Sequence, residues 1–304
     1  MGAECLACGS LSVSHWATAR DIEYYAVPDS FDYVACADCR SLSIVDPPVA
    51  RLSEIYPENY YSFSETGQSP IERVKQWLDR RQFSKLFSTV KGSSLSALDV
   101  GGGAGWLLTL AKAVEPRLAE TLVVDLDAAA AARARAAGHD FFLGPVETFE
   151  STKKFDVIFM LNLIEHVADP VAVLTKMRSL LASDGVIFLK TPNYDSLDAR
   201  MFRNQSWGGL HCPRHWVLFT PESFTRAAAA ADLTVVKLEL TQGAPFWTVS
   251  ALSWLARLGL VRIDARRPAV EHPLFGPLSA AFAAFDMVRG RVMRTSQMFV
   301  TLRH

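Results

Sequence analysis

Four of the five cysteines occur in two close pairs, and this spacing is typical of a metal site. Two residues separate the cysteines within each pair, and the four are Cys5, Cys8, Cys36 and Cys39. Four thiolates suit tetrahedral Zn²⁺ and leave no open position for a reactant, so we expect a structural zinc. Four unliganded thiols are the alternative, and a redox pair is disfavoured because neither pair clearly opens a helix. Cys212 stands alone and is expected to be a core or cleft residue.

Glycines at positions 101, 103 and 105 form a second pattern that indicates a functional site. They lie between a predicted strand and a predicted helix, where the backbone can approach a ligand and the helix N-terminus offers N–H groups. A dinucleotide-binding loop would have a third glycine at position 106, where this chain has Trp106. The spacing therefore disfavours a nicotinamide oxidoreductase and favours a ligand whose amino-acid moiety lies against the loop.

The hydrophobic pattern predicts an alternation of strands and helices that would position these residues. Strands are expected at 96–100, 122–125, 141–143, 155–161, 185–191, 233–240 and 297–302. Helices are expected at about 71–90, 106–114, 128–137, 170–181 and 221–231. Such an alternation predicts a doubly wound, mostly parallel, Rossmann-like α/β sheet of seven strands. Residues 245–294, rich in aromatic residues, are expected to form a helical insertion before the last strand.

The length of 304 residues leaves room for one α/β domain and a small accessory module. We expect a zinc ribbon at 1–50, a connector and helix at 51–94, and the α/β domain at 95–304. The formal net charge of −1 provides no field that would attract nucleic acid. The N-terminus has no pattern of a secretory signal, and the chain has no run of about 18 apolar residues. We therefore expect a cytoplasmic protein.

The stretch from Asp99 to Gly105 resembles the first motif of class I S-adenosylmethionine-dependent methyltransferases. Asp125, at the end of the next predicted strand, matches the acid that accepts hydrogen bonds from the ribose hydroxyls. Residues 155–170, which contain Glu165-His166-Val167-Ala168-Asp169-Pro170, are similar to the subgroup that includes ubiquinone-biosynthesis O-methyltransferases. The resemblance is strong over about residues 95–240, and it implies the methyltransferase fold with S-adenosylmethionine as cofactor.

The resemblance also assigns individual residues to the cofactor. Leu126 is expected beside the adenine, and Val146 and Glu147 at its edge, where Pro145 replaces an aspartate common in the family. Tyr60 and Tyr61 are expected either to close over the cofactor or to pack the connector against the domain. The full predicted set is Asp99, Gly101, Gly103, Gly105, Asp125, Leu126, Val146, Glu147, Asn162, Tyr60 and Tyr61.

Three histidines are candidates for the base that a hydroxyl acceptor needs. His166 follows the predicted fourth strand, whereas His211 and His215 lie in an aromatic loop at 207–216. Each could instead orient its own loop through hydrogen bonds. The resemblance implies methylation of a small-molecule or glycan acceptor, with O-methylation of a sugar, polysaccharide or secondary-metabolite intermediate as the expected reaction.

Two other functions stay open, an RNA base methyltransferase and a non-catalytic interaction protein. Residues 1–50 contain seven acids and two arginines, and this acidic character disfavours RNA. The chain from Arg257 onward carries eight arginines and three acids. Peripheral contact with an anionic membrane is one interpretation of this region, and a helical cap over the acceptor pocket is the other. The sequence favours no particular oligomeric state.

Overall fold

The computed structural model describes residues 3–56, 70–205 and 207–304. Its strands are β1 (Val13–Arg20), β2 (Ser30–Cys36), β3 (Leu42–Ile44), β4 (Leu95–Val100), β5 (Leu118–Asp125), β6 (Asp140–Leu143), β7 (Phe155–Leu161), β8 (Leu181–Pro192), β9 (Val217–Leu218), β10 (Thr234–Thr241) and β11 (Gln297–Arg303). Its α-helices are α1 (Leu52–Ile55), α2 (Pro70–Phe87), α3 (Trp106–Val114), α4 (Ala128–Ala136), α5 (Pro170–Leu180), α6 (Leu197–Phe202), α7 (Pro221–Ala230), α8 (Ala244–Arg257) and α9 (Phe275–Arg289).

Seven strands form one sheet in the order β10-β11-β8-β7-β4-β5-β6. The five strands from β8 to β6 pair in parallel, and β11 is antiparallel to both of its neighbours. The predicted mostly parallel, seven-stranded sheet is confirmed. The predicted helical insertion is also present, because α8 and α9 lie between β10 and β11 and return the chain to the sheet.

The central strands are apolar because helices cover both faces of the sheet. All six residues of β4 are buried, and alternate residues of β7 face opposite sides. Phe159 packs with α2 and α3 on one face, whereas Ile158 packs with α5 and α7 on the other. This arrangement leaves the carboxyl ends of the parallel strands as the edge where loops can form a site.

Helix caps fix the loops at that edge. Asp169 caps α5 by accepting a hydrogen bond from the backbone N–H of Ala172, and Pro170 occupies the first turn. Thr220 and Ser223 form a capping box at the start of α7. Strand boundaries deviate from the predicted ones mainly at β5 and β8. Strand β5 begins at Leu118 rather than 122 because Leu118 pairs with Leu95, and β8 begins at Leu181 rather than 185 because Leu181 pairs with Phe155.

A second, four-stranded sheet contains β1, β2, β3 and β9 in that order. The β1–β2 hairpin lies between the two cysteine pairs, and β3 follows the second pair. The fourth strand comes from the other half of the chain, since Leu42 pairs with Leu218 and Ser43 with Val217. The N-terminal fifty residues and the loop before α7 therefore share one sheet.

The insertion is an antiparallel helical hairpin. Trp247 of α8 stacks on Phe282 of α9, and Thr248 lies 3.0 Å from Ser279 between their hydroxyl oxygens. At the other end of α9, Asp286 accepts hydrogen bonds from the Gly243 N–H and the Trp247 indole. Among the helices in the described ranges, none is long and apolar enough to cross a membrane.

Candidate functional site

The glycine loop between β4 and α3 has the left-handed backbone that glycine permits. The φ angles are +75° at Gly101, +51° at Gly103 and +78° at Gly105, which other residues adopt only with strain. A Cβ atom at Gly105 would also lie 2.6 Å from Cδ2 of the buried His139. The three predicted glycines therefore form one tightly curved backbone segment at the carboxyl end of β4.

Two aspartates lie beside this loop. Asp125 accepts hydrogen bonds from the backbone N–H groups of Gly103, at 2.8 Å, and Asp127, at 2.9 Å. Asp99 is buried, and within the described residues its Oδ2 has no hydrogen-bond partner. Burial, with the nearby Asp125 adding to it, raises the pKa of Asp99 to about 8. The structure thus brings the two predicted acids to the same loop.

The residues expected around the adenine lie at the ends of β5 and β6. Asp125 and Leu143 are paired in the sheet, so Leu126 and the loop with Val146 and Glu147 follow neighbouring strand ends. Leu126 is 62% exposed, Val146 is buried and Glu147 is exposed. These positions leave an apolar side chain open to solvent beside the glycine loop.

The remaining predicted cofactor residues lie further along the chain. Asn162, just past β7, has a φ of +53°, and its N–H donates to the Lys190 carbonyl. Its side chain is exposed at the carboxyl edge of the sheet. Tyr60 and Tyr61 lie outside the described residues.

The three predicted histidines come together in one cluster. The ring centroids of His166 and His215 are 4.7 Å apart, those of His211 and His215 are 4.9 Å apart, and those of His166 and His211 are 6.2 Å apart. Glu165 belongs to the same cluster, because a carboxylate oxygen of Glu165 and ring nitrogens of His166 and His215 all lie within 4.8 Å of one another. We call these four residues the histidine cluster.

A hydrogen bond assigns the proton of the His215 imidazole. Nδ1 of His215 is 2.8 Å from the Gly209 carbonyl oxygen, which can only accept, so Nδ1 carries the proton. The basic nitrogen of His215 is therefore Nε2, which lies 3.9 Å from Oε1 of Glu165. Nδ1 of His166 lies 3.0 Å from the Arg214 carbonyl oxygen.

Burial keeps His166, His215 and Glu165 uncharged near neutral pH. It lowers the pKa of His166 to about 3, with His211 adding to the effect. Burial also lowers the pKa of His215 well below its usual value, and it raises the pKa of Glu165 to about 8. At pH 7 His166 and His215 are therefore in the deprotonated form that a general base needs, each with a ring nitrogen that can accept a proton.

Glu165 and Tyr56 belong to this site, although the sequence patterns did not single out either residue. Oε2 of Glu165 accepts from the Thr191 hydroxyl, whereas its buried Oε1 has no hydrogen-bond partner within the part of the chain described. The Tyr56 hydroxyl lies 2.9 Å from Nδ1 of His166. The Glu-His dipeptide after a strand was the available signal for Glu165.

The N-terminal sheet holds the loop that carries His211 and His215. The Tyr33 hydroxyl of β2 donates to the His215 carbonyl at 3.0 Å, and His211 pairs with Glu23. Arg214 donates to Asp21 at 2.7 Å, and both side chains are completely buried. The orientation of the histidine cluster therefore depends on residues near the N-terminus.

The histidine cluster lies close to the glycine loop. A Cβ atom at Gly101 would be 3.1 Å from Cδ1 of Leu163, which precedes Glu165 by two residues. The Trp216 N–H donates to the Glu165 carbonyl at 2.7 Å and joins the second histidine loop to this segment. A ligand on the glycine loop and a second molecule at the cluster would therefore be neighbours.

The four paired cysteines also converge. The Sγ atoms of Cys5 and Cys39 are 3.5 Å apart, those of Cys8 and Cys36 are 3.7 Å apart, and all four lie within 4.8 Å of one another. A tetrahedron with Zn–S bonds of about 2.3 Å has sulfur–sulfur edges of about 3.8 Å. The cluster therefore has the dimensions of a tetrathiolate metal site. Cys212 is buried outside it.

A family model described as a methyltransferase domain matches residues 71–238, which is more than half of the chain. Ubiquinone biosynthesis O-methyltransferase of Haemophilus ducreyi is 44% identical over 43 residues, covering 14% of this chain and 18% of that protein. The mitochondrial enzyme of the same name from Candida albicans is 29% identical over 131 residues, covering 40% of each. The matched segments thus span less than half the length of these curated relatives.

A solved methyltransferase structure has the same fold as this chain. The crystal structure of coclaurine N-methyltransferase bound to N-methylheliamine and SAH superposes with a TM-score of 0.51 at 16% identity, covering 84% of this chain and 80% of that one. At this identity the likeness concerns the fold alone. The family match, the sheet order and the glycine loop lead to one conclusion: the chain belongs to the methyltransferase domain family, as a class I S-adenosylmethionine-dependent methyltransferase.

Proposed function

We propose that the chain transfers a methyl group from S-adenosylmethionine to a hydroxyl of a small-molecule, sugar, polysaccharide or secondary-metabolite intermediate. The supporting observation is the histidine cluster, in which Nε2 of His215 lies 3.9 Å from Oε1 of Glu165, an oxygen with no hydrogen-bond partner among the described residues. A hydroxyl needs a base to remove its proton during methyl transfer, whereas a neutral amine does not. A buried base therefore favours an oxygen acceptor.

The residues around the glycine loop fit the proposed cofactor. Asp125 offers carboxylate oxygens that can accept hydrogen bonds from two ribose hydroxyls, in place of those from backbone N–H groups. Oδ2 of Asp99, which has no hydrogen-bond partner in the described ranges, suits the ammonium of an amino-acid moiety, because a buried acceptor without a donor is costly. Leu126, Val146, Glu147, Asn162, Tyr60 and Tyr61 complete the proposed contact set.

The proposed catalytic roles follow from where the histidine cluster lies and from which of its groups can accept a proton. S-adenosylmethionine supplies a methyl group already activated by its sulfonium, so the protein must hold the acceptor oxygen in line with it. Nε2 of His215, or the free ring nitrogen of His166, would take the acceptor's proton as the oxygen–carbon bond forms and the sulfur–methyl bond breaks. Once ionised, which its raised pKa of about 8 allows above that pH, Glu165 can compensate the positive charge that a protonated His215 would carry, because its Oε1 faces the same nitrogen.

Replacement of Asp125 tests the cofactor site. We expect Asp125→Ala to weaken binding of S-adenosylmethionine and S-adenosylhomocysteine more than about 100-fold, because two hydrogen bonds to a charged group are lost at about 1.5–3 kcal/mol each. Isothermal titration calorimetry measures the change.

Asp127→Ala is the matched control for that titration. It removes an acid two residues away, where the side chain caps α4 by accepting from the Ala129 N–H. We expect this variant to bind within about fivefold of the wild type, since a cap contributes about 1 kcal/mol to stability. Equal binding by wild type and Asp125→Ala would contradict the site. A folded wild type that binds neither ligand would instead support a non-catalytic interaction protein.

We also propose that Cys5, Cys8, Cys36 and Cys39 hold one structural zinc ion. The purified chain should contain one equivalent of zinc by elemental analysis, and Cys36→Ser should lose it. Metal binding contributes folding free energy in such modules, so we expect a clearly lower melting temperature in the variant. Cys212→Ala, outside the cluster, should keep the metal. Full zinc content in Cys36→Ser would contradict the assignment.

A further inference from the structure

The outer face of α9 carries no charged side chain. Its only two charged residues, Asp286 and Arg289, are buried and paired with each other at 2.6 Å. Every exposed residue of the helix is apolar or glycine: Gly276, Pro277, Ala280, Ala281, Ala284, Phe285, Met287 and Val288. A surface helix of a water-soluble domain normally has the opposite arrangement, with charges outside and apolar residues inside.

Apolar exposure continues at both ends of the hairpin. Beyond the C-terminus of α9, Val292 is 84% exposed, and Met293 is exposed as well. At the opposite tip, Leu258, Leu260 and Leu274 are exposed. We call these residues, together with the outer face of α9, the hairpin surface. Contiguous apolar patches of this kind mark contact sites for a protein or a membrane.

Positive charge borders the hairpin surface. Residues 254–293 contain six arginines, three acids and no lysine, although the whole chain has a net charge of −1. The exposed arginines are Arg257, Arg262, Arg266, Arg267 and Arg291. Arg289 pairs with Asp286, Arg294 pairs with Asp195 and Glu222, and Arg303 donates to backbone carbonyls. The exposed Arg262 also pairs with Asp264.

We propose that the hairpin surface docks on an anionic lipid bilayer. Apolar side chains flanked by arginines match both parts of such a membrane, the acyl region and the negative headgroups. A twofold dimer through the same surface would place this positively charged region against its own copy. The charge distribution therefore favours an anionic membrane over a second copy of the chain.

Vesicle flotation of the full chain tests the proposal. At low salt we expect binding to vesicles of phosphatidylcholine and phosphatidylglycerol in a 3:1 ratio, and much weaker binding to phosphatidylcholine alone. Val288→Glu with Val292→Glu should reduce binding to the anionic vesicles more than tenfold. Arg266→Gln with Arg267→Gln should reduce it about fivefold per arginine, with little effect on neutral vesicles.

Matched variants elsewhere on the surface serve as controls. Leu11→Glu changes a side chain that is 73% exposed in the N-terminal region, and Arg133→Gln with Arg135→Gln removes two exposed charges from α4. Both should bind vesicles like the wild type. Absence of flotation by the wild type, or equal losses in the controls, would overturn the proposal. So would a lipid-independent dimer that the valine variant dissociates. Calorimetric titration with S-adenosylmethionine measures binding at the cofactor site independently of lipid. The proposed methyltransferase function and the proposed membrane docking can therefore be contradicted separately.

Discussion

Replacing Arg214 by methionine is expected to lower the free energy of unfolding by about 3–5 kcal/mol. The guanidinium donates to Asp21 at 2.7 Å and to the Ile55 carbonyl at 2.7 Å, and neither charged side chain has any exposed surface. Methionine keeps much of the volume but leaves the Asp21 carboxylate buried without its counter-charge. Urea denaturation monitored by circular dichroism measures the change. Arg51→Met, which breaks exposed pairs with Asp29 and Glu54, should cost less than about 1 kcal/mol.

The dependence of stability on pH should change direction in the Arg214 variant. Burial alone would raise the pKa of Asp21, but the hydrogen bond and charge of Arg214 outweigh it and keep the pKa below its usual value. The wild-type contribution is thus present above the usual carboxyl pKa and lost as pH falls through the lower folded pKa. In Arg214→Met burial is the largest remaining influence on this pKa, opposed by the backbone hydrogen bonds from Tyr24 and Ala26, so the variant should become more stable as pH falls from 7 to 5. A parallel loss of stability in both proteins would contradict this account.

His215→Ala is expected to reduce methyl transfer about 10²–10⁴-fold while affinity for S-adenosylmethionine changes less than about twofold. The imidazole is the proposed proton acceptor and does not belong to the proposed cofactor contacts. The measurement is transfer of label from S-adenosylmethionine to the first acceptor that turns over in a screen of phenols and sugar nucleotides. His15→Ala, at an exposed position in β1, is the control and should retain full activity.

The pH profile gives this prediction a second readout. A base is active when deprotonated, and burial lowers the pKa of His215 well below its usual value. We therefore expect no inflection at about pH 6.5, where an ordinary histidine titrates. Titration of Glu165 should produce an inflection near pH 8, which Glu165→Gln would remove. Unchanged turnover in His215→Ala would contradict the assignment of the base.

Features that depend on residues close together in the sequence were predictable from it. The glycine loop, Asp125 and the strand ends that carry them follow from short motifs and from hydrophobic alternation. The seven-stranded sheet also followed, because strands alternating with helices have few ways to assemble. The individual histidines were predicted too, since each lies in a loop after a strand.

The assembly of the histidine cluster was not predictable from local patterns. It depends on Asp21, Glu23 and Tyr33, which contact residues nearly two hundred positions later in the chain. The exposed apolar face of α9 could not be predicted from the sequence for a related reason. Periodicity shows that Asp286 and Arg289 share a face of the helix, but only the packing against α8 shows that this face is buried.

The pairing of β3 with β9 has a consequence for synthesis of the chain on the ribosome. Leu42 is synthesised 176 positions before its partner Leu218, so this edge of the N-terminal sheet stays uncovered until Leu218 has been made. At translation rates of about 5–20 residues per second, that edge stays open for roughly 10–35 s. An uncovered strand edge can pair with other chains during this interval. Early metal capture by the cysteines, which are all synthesised by residue 39, would give the nascent segment its first stable structure.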